Sequence, residues 1–459
     1  MDRRDSPAAG REARRERLAR GVLRLLGRTL PAGTPLSLSL AGDPPVPLAG
    51  GAAAARVVLA GPDAVGRLLW PPTSTALGEA YLRGDLEIEG EIGTAVSAGE
   101  AFDLRCLDWP ERRRLARWAL ALRAGAAPAA PLRRVPRLRG RRHSRARDLA
   151  AVRFHYDVGN AFFALWLDRR MVYSCAYFAD EGGDRSGRAE GDGATPTAPT
   201  GAPTDALDLA QEAKLELICR KLRLAPGQRL LDVGCGWGGL VRYAAERHGV
   251  RAVGVTLSRP QADFAAAEAE REGLGDRVRF EVRDYRDLAP LGAFDAVVSV
   301  GMFEHVGREM LPAYFRAAFA ALRPGGLFVN HGIATTETRS GPGGHFGGDG
   351  FVGRYVFPDG DLVTVEEALA VARRAGFELL DVQSLRSHYA LTLEAWVRRL
   401  EAQAAAARRI VDDEVFRTWR LYMAAARHGF ARGSLDVAQL LLARPAADGP
   451  ARLPLRPWW

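Results

Sequence analysis

Leu230-Leu-Asp-Val-Gly-Cys-Gly-Trp-Gly-Gly239 decides how the rest of the chain is read. An apolar run enters a loop in which glycine takes every second place, and a helical pattern then runs from Gly239 to His248. Strand, glycine turn, helix is the opening unit of a ligand-binding α/β sheet, because glycine lets the backbone turn sharply and approach a ligand closely. Phosphate-binding and dinucleotide-binding loops look alike at this level. Two features set this one apart. No Gly-Lys-Ser/Thr follows the loop, and no acid stands at the end of the next strand, Gly254-Val-Thr-Leu-Ser-Arg-Pro-Gln261. Asp232, just before the turn, suits an amino-acid ammonium and not a pyrophosphate.

Outward from the loop, helix and strand alternate with the regularity of a parallel, doubly wound sheet. The spacing predicts helices over Leu207–Leu222, Gly239–His248, Gln261–Glu272 and Leu311–Leu322. It predicts strands over Arg229–Val233, Ala252–Thr256, Val278–Val282, Ala296–Val300 and Leu327–Asn330, with Arg323–Gly326 as the stop of the last helix. Ligands of such a sheet lie at the carboxyl ends of its strands. There Thr256 and Gln261 offer neutral hydrogen bonds, while Asp284 and Tyr285 offer a carboxylate and an aromatic face.

The 459 residues carry 64 Lys+Arg against 55 Asp+Glu, a net charge of +9, which favours phospholipid head groups or nucleic acid as partners. Residues 1–20 read as a basic disordered arm. Residues 21–124 read as a small α+β domain, with strands at Leu36–Leu40 and Ala55–Leu59 and helices at Leu77–Leu82 and Trp109–Ala124. Residues 125–149 read as an Arg-rich linker whose cluster, Arg133 to Arg147, is either simply solvated or docked on anionic lipid. The larger domain takes 150–459, with a disordered loop expected at 182–205. Cys106, Cys175, Cys219 and Cys235 form no CxxC pair and no His-spaced cluster, so no metal site is expected and a reducing cytoplasm fits. No apolar run reaches the ~18 residues of a membrane span, so any membrane contact is expected to be peripheral.

The glycine loop resembles the first motif of S-adenosylmethionine-dependent methyltransferases. Together with Thr256-Leu-Ser-x-x-Gln261, further motifs narrow the resemblance to cyclopropane-fatty-acyl-phospholipid synthases and the related mycolic acid cyclopropane synthases. They are His155-Tyr-Asp-Val-Gly-Asn160, Tyr173-Ser-Cys-Ala-Tyr-Phe178, Ala210-Gln-Glu-Ala-Lys214, Met302-Phe-Glu-His-Val-Gly307, His331-Gly-Ile333, Arg354-Tyr-Val-Phe-Pro-Asp-Gly360 and Tyr389 through Trp396, in family order over 150–440. The stretch Leu77–Gly84 resembles the phospholipid-acting branch more loosely. The resemblance implies an α/β fold, a doubly wound Rossmann-like methyltransferase sheet over 150–459 with a smaller lipid-associated N-terminal α+β domain. It implies S-adenosylmethionine held by Tyr173, Ser174, Asp232, Gly234, Gly236, Gly238, Thr256, Leu257, Ser258, Gln261, Asp284 and Tyr285. In that family the sulfonium methyl goes to an alkene carbon of an unsaturated phospholipid acyl chain and leaves a carbocation; loss of a proton from the new methyl closes the ring. Bicarbonate held by Cys175, Glu304, His331, Ile333 and Tyr389 is the implied proton acceptor. A phospholipid membrane met from its cytoplasmic face is the implied partner, nucleic acid is not, and a homodimer is compatible with the resemblance.

Each of these residues has a plainer reading. Taken alone, Cys175 is a small buried residue, His331 a strand-end cap and Tyr389 core or surface filler. Glu304 is harder to dismiss, because it follows the apolar run Val297–Phe303 at a strand's carboxyl end. Taken together under the family pattern, the site reading wins. Loss of a different proton from the same carbocation would give a methylene-branched or, after reduction, methyl-branched chain, and the sequence does not fix which. A nucleic-acid methyltransferase would need a base-flipping motif, and none is present. Ala426 stands where some synthases carry a further cysteine. Gly341–Gly353 reads as a lid or a long loop, and Pro457–Trp459 either packs down or touches lipid.

Overall fold

Period-two alternation sorts the strands of the larger unit between two helical layers. Leu230, Ala252, Val298 and Val329 face helices Ala206–Lys221 and Gly239–His248, where Leu215, Ile218 and Val241 meet them. Leu231, Val253, Val297 and Phe328 face Leu311–Ala321 and Val365–Arg374, where Phe315, Ala318 and Ala372 complete the opposite core. The computed structural model describes residues 7–47, 53–69, 73–136, 138–179, 206–336, 350–451 and 453–459.

Seven strands make this sheet: β1 Arg229–Val233, β2 Arg251–Thr256, β3 Val278–Val282, β4 Phe294–Val300, β5 Leu322–Thr335, β6 Glu378–Ser384 and β7 Leu435–Ala443. Their order is β6-β7-β5-β4-β1-β2-β3, with β7 antiparallel to both neighbours and the remaining pairs parallel. The chain winds one way from β1 through β3 and the other way from β4, so a crevice opens between β1 and β4 at their carboxyl ends. The doubly wound sheet is the one expected. One boundary was misread. Arg323–Gly326 stops the helix, but β5 already starts at Leu322, opposite Phe294. Gly325 N–H donates to Arg444 O and Arg444 N–H to Gly326 O, so the stretch joins the ladder through a distant residue.

The chain divides into two compact units, and the smaller contains residues 1–137, 340–358 and 400–429. The boundary drawn at 150 thus separates chain stretches and not compact units. In the smaller unit Leu36–Leu40 lies parallel to Ala55–Leu59, which runs antiparallel to Leu86–Gly90. Arg420, buried on the helix Asp413–Arg432, donates to Tyr81 Oη, Ile88 O and Gly90 O, which explains why a late segment belongs here. The expected disordered arm is corrected: Pro7–Gly27 is a helix. Ala19, Val22 and Leu23 are buried along it, an i, i+3, i+4 spacing that its dense arginines concealed.

The Arg-rich linker ends earlier than expected, since Arg145–Tyr156 is helical and Arg145 pairs with Asp287. The loop expected at 182–205 and most of Gly341–Gly353 lie outside the described residues; Phe351–Tyr355 is a helical turn. The terminal pair packs down. Trp458 Nε1 donates to Arg220 O at 3.1 Å, and Lys221 Nζ sits 5.3 Å from the Trp459 ring. Among the described residues no helix is long and apolar enough to cross a membrane.

Phe328, fully buried, meets the rings of Tyr314, Phe315 and Phe377. Phe328→Ala is expected to cost about 3–5 kcal/mol. Urea denaturation should show a lower midpoint at unchanged slope.

Candidate active site

The turn after β1 is shaped for close approach. Gly234 has φ +88°, and a Cβ there would sit 2.8 Å from the Met302 side chain, so the turn admits only glycine. Gly234 and Cys235 N–H both donate to Val255 O, which ties the turn to β2. Trp237 Nε1 donates to Asn160 Oδ1 at 2.8 Å and fastens the His155–Asn160 segment to the loop. Asp232 is buried at the end of β1, and its Oδ1 has no hydrogen-bond partner among the described residues. Burial pushes its carboxyl up to about 7, against the pull of Lys214. A buried acceptor without a partner beside a glycine cradle fits the ammonium end of S-adenosylmethionine.

At the β2 end Thr256 Oγ1 donates to Gln261 Oε1 at 2.9 Å, and Ser258, after Leu257, caps the helix Arg259–Arg271. At the β3 end Asp284 is engaged by Arg286, which also reaches Asp148, and Tyr285 stands edge-on to Tyr314. These residues are brought to the sheet's carboxyl edge, though Asp284 already has a strong partner there.

Lys214 and Gln211 bind the Tyr173–Ser174 segment to the helix Ala206–Lys221, and sequence reasoning named neither as a site residue. Lys214 Nζ donates to Ser174 Oγ at 2.8 Å; Gln211 Nε2 donates to Ser174 O at 2.8 Å and to Val172 O. Burial lowers the Lys214 ammonium to about 8, while Asp168, Cys175 and Asp232 hold it up. A lysine is seldom buried without a partner, and it is the burial of Lys214, seen only in the structure, that marks it. Around Tyr173 lie His155, Phe163, Trp166 and Trp396, with ring centroids 5.2–5.7 Å away.

Of the residues expected at the proton-accepting end, Glu304, His331 and Ile333 lie together at the ends of β4 and β5, while Cys175 and Tyr389 are tied to β7 through the backbone of Leu385. Glu304 follows β4 in a short turn, and its Oε1 accepts the Ile333 N–H of β5 at 3.2 Å. Burial raises its carboxyl to about 7, and Oε2 has no partner among the described residues. His331, two residues from Ile333 on the same face of β5, accepts from Gln439 of β7 at Nδ1, 3.2 Å. The proton of this neutral ring therefore sits on Nε2, which has no partner among the described residues. Burial, with Lys214 and Lys221 nearby, drives its pKa well below the ordinary value. Opposite Ile333, Val437 O accepts from Leu385 N. Leu385 O in turn receives the Cys175 thiol at 3.6 Å and the Tyr389 N–H at 3.0 Å. Burial raises the Cys175 pKa, so this sulfur stays a thiol. Gln439 acts on His331 only through the register of β7, which local sequence does not reveal.

The family described as mycolic acid cyclopropane synthetase matches residues 143–440. A probable fatty acid methyltransferase of Pseudomonas putida is 40% identical over 86% of this chain and 88% of its own length. The cyclopropane-fatty-acyl-phospholipid synthase of Escherichia coli is 35% identical over 64% of this chain and 68% of its own. Among solved structures, the mycolic acid cyclopropane synthase CmaA1 complexed with SAH and CTAB is 31% identical, with a TM-score of 0.56, over 64% of this chain and 98% of that one.

Asp232→Asn is expected to weaken S-adenosylmethionine binding about tenfold or more in titration calorimetry. Wild-type affinity should strengthen as pH rises through about 7, where Asp232 ionises, and the variant should lose that dependence. Lys214→Met should move the wild-type transition to higher pH, since Lys214 holds the Asp232 pKa down. Equal binding by wild type and Asp232→Asn would remove Asp232 from the site.

Proposed function

Since the chain belongs to the mycolic acid cyclopropane synthetase family of S-adenosylmethionine-dependent methyltransferases, we propose that it builds a cyclopropane ring on the cis double bond of an unsaturated phospholipid acyl chain. It would work from the cytoplasmic face of the membrane. The observation that carries this reading is the pair of buried polar atoms without partners among the described residues, Glu304 Oε2 and His331 Nε2, at the ends of adjacent strands. A carboxyl that accepts and an imidazole N–H that donates suit a small, protonatable anion such as bicarbonate. Cys175 and Tyr389 would complete its surroundings.

S-adenosylmethionine supplies an electrophilic methyl group, and bicarbonate would supply the base that takes a proton from that methyl once it is on the chain. The chain's own residues have two tasks. Asp232, Ser174 and the glycine turn orient the donor, and the proton-accepting end keeps nucleophiles away from a carbocation. Cys175 stays protonated, and Lys214 is occupied by Ser174. Aromatic rings around Tyr173 offer a π surface that tolerates positive charge.

A second reading, methylene or methyl branching, is favoured by one observation. The Pseudomonas putida relative and a Mycobacterium tuberculosis relative, 39% identical over 84% of this chain, are both named probable fatty acid methyltransferases.

Protein incubated with S-adenosylmethionine and cis-monounsaturated phosphatidylglycerol should give acyl chains with upfield cyclopropane protons in NMR. Vinylidene signals would select the branching reading, and no acyl product would discard both. Glu304→Gln should lose about a hundredfold or more of turnover with donor affinity unchanged. The folded pKa of Glu304 is raised, so its stabilising effect is complete below the ordinary 4.5 and lost as pH rises to about 7. Relative to wild type, the Tm of Glu304→Gln should therefore climb across that window and level off above it.

A further inference from the structure

Three of the eight arginines that the sequence suggested for lipid docking are committed to carboxylates. Arg142 and Arg147 pair with Asp359, and Arg145 with Asp287. A different element keeps its charge free. The helix Trp109–Ala124 carries five arginines and one acid, Glu111, which pairs with Arg28. Arg113, Arg114, Arg117 and Arg123 have no carboxylate partner among the described residues. Arg113 stacks over the Trp109 ring at 4.4 Å.

Leu115 and Leu122 bury the inner side of this helix. At about 100° per residue, Trp109, Arg113, Arg117 and Leu120 fall within an outer arc of roughly 80°. Trp109 is 64% exposed and Leu120 70%, and Leu104, in the turn before the helix, is 49% exposed. A cationic face alone would suit any polyanion. Large apolar side chains standing among the arginines ask for a partner that is anionic outside and apolar beneath. Tryptophan and arginine, each with an apolar body and a polar or charged tip, match that boundary.

We propose that the outer face of the Trp109–Ala124 helix is the surface by which the chain docks on an anionic lipid bilayer; the proposal rests on the acyl-lipid reading above. Full-length protein is sedimented with phosphatidylcholine vesicles containing or lacking phosphatidylglycerol, at low and high salt. Wild type should bind the anionic vesicles, and less at high salt. The double variants Trp109→Ala/Leu120→Ser and Arg113→Gln/Arg117→Gln should each weaken binding about tenfold or more. Arg139→Gln/Arg141→Gln, in the other cluster, should not. Turnover of the same unsaturated lipid in detergent micelles should stay at the wild-type level in every variant, which also shows that they fold. Unchanged vesicle binding in the first two variants overturns the proposal. So does a change in their oligomeric state by light scattering, which would make the face a contact between copies of the chain. Vesicle binding lost in those variants, with no turnover even by wild type, supports the docking surface and sinks the acyl-lipid reading instead.

Discussion

A buried ammonium governs the carboxyl end of the large sheet. Removing a lysine from water costs several kcal/mol unless charges and hydrogen bonds offset it. Lys214 finds both, in the Ser174 hydroxyl and in the fields of Asp168 and Asp232. Two carboxylates facing one ammonium leave the group with one negative charge in excess when all are ionised. Asp168 has its backbone partners, the N–H groups of Arg170 and Val172, whereas Asp232 Oδ1 has none among the described residues. The missing positive charge is thus localised at Asp232, beside the turn that accepts a close ligand. A cationic donor completes this arrangement, and a pyrophosphate would be repelled by it.

Much of the sheet was legible because its central strands are buried on both faces and its helices are amphipathic. β1, β3 and the helix Gly239–His248 fall where hydrophobic spacing puts them. What local pattern missed was fixed at long range. β5 starts five residues before Leu327 because Arg444 pairs with the glycine stop. Pro7–Gly27 is helical because its apolar stripe is buried, although its composition resembles a solvated arm. The site was legible as a set of motifs and much less as a network. Ala210–Lys214 was visible as a match, but nothing in its letters says that Lys214 reaches Ser174. Likewise Gln439 acquires its meaning from lying opposite His331 in the ladder.

The same network sets which groups near the site can react. An alkene that has accepted a methyl cation is captured by any free lone pair in reach, so this chemistry depends as much on quenched nucleophiles as on a placed base. Burial keeps Cys175 as a thiol and directs it to backbone carbonyls. His331 turns its basic Nδ1 to the Gln439 amide and leaves a buried N–H without a partner among the described residues. Lys214 is occupied by Ser174 and its acidic neighbours. Glu304 remains, with one oxygen on the Ile333 N–H and the other without a partner among the described residues. Burial raises its carboxyl to about 7, so a protonated fraction, a poor nucleophile, persists at neutral pH. A carboxylate with an ordinary pKa would be ionised at neutral pH and would trap the cation as an ester. In the proposed reaction, burial of Glu304 would therefore lessen trapping of the cation and favour loss of a proton.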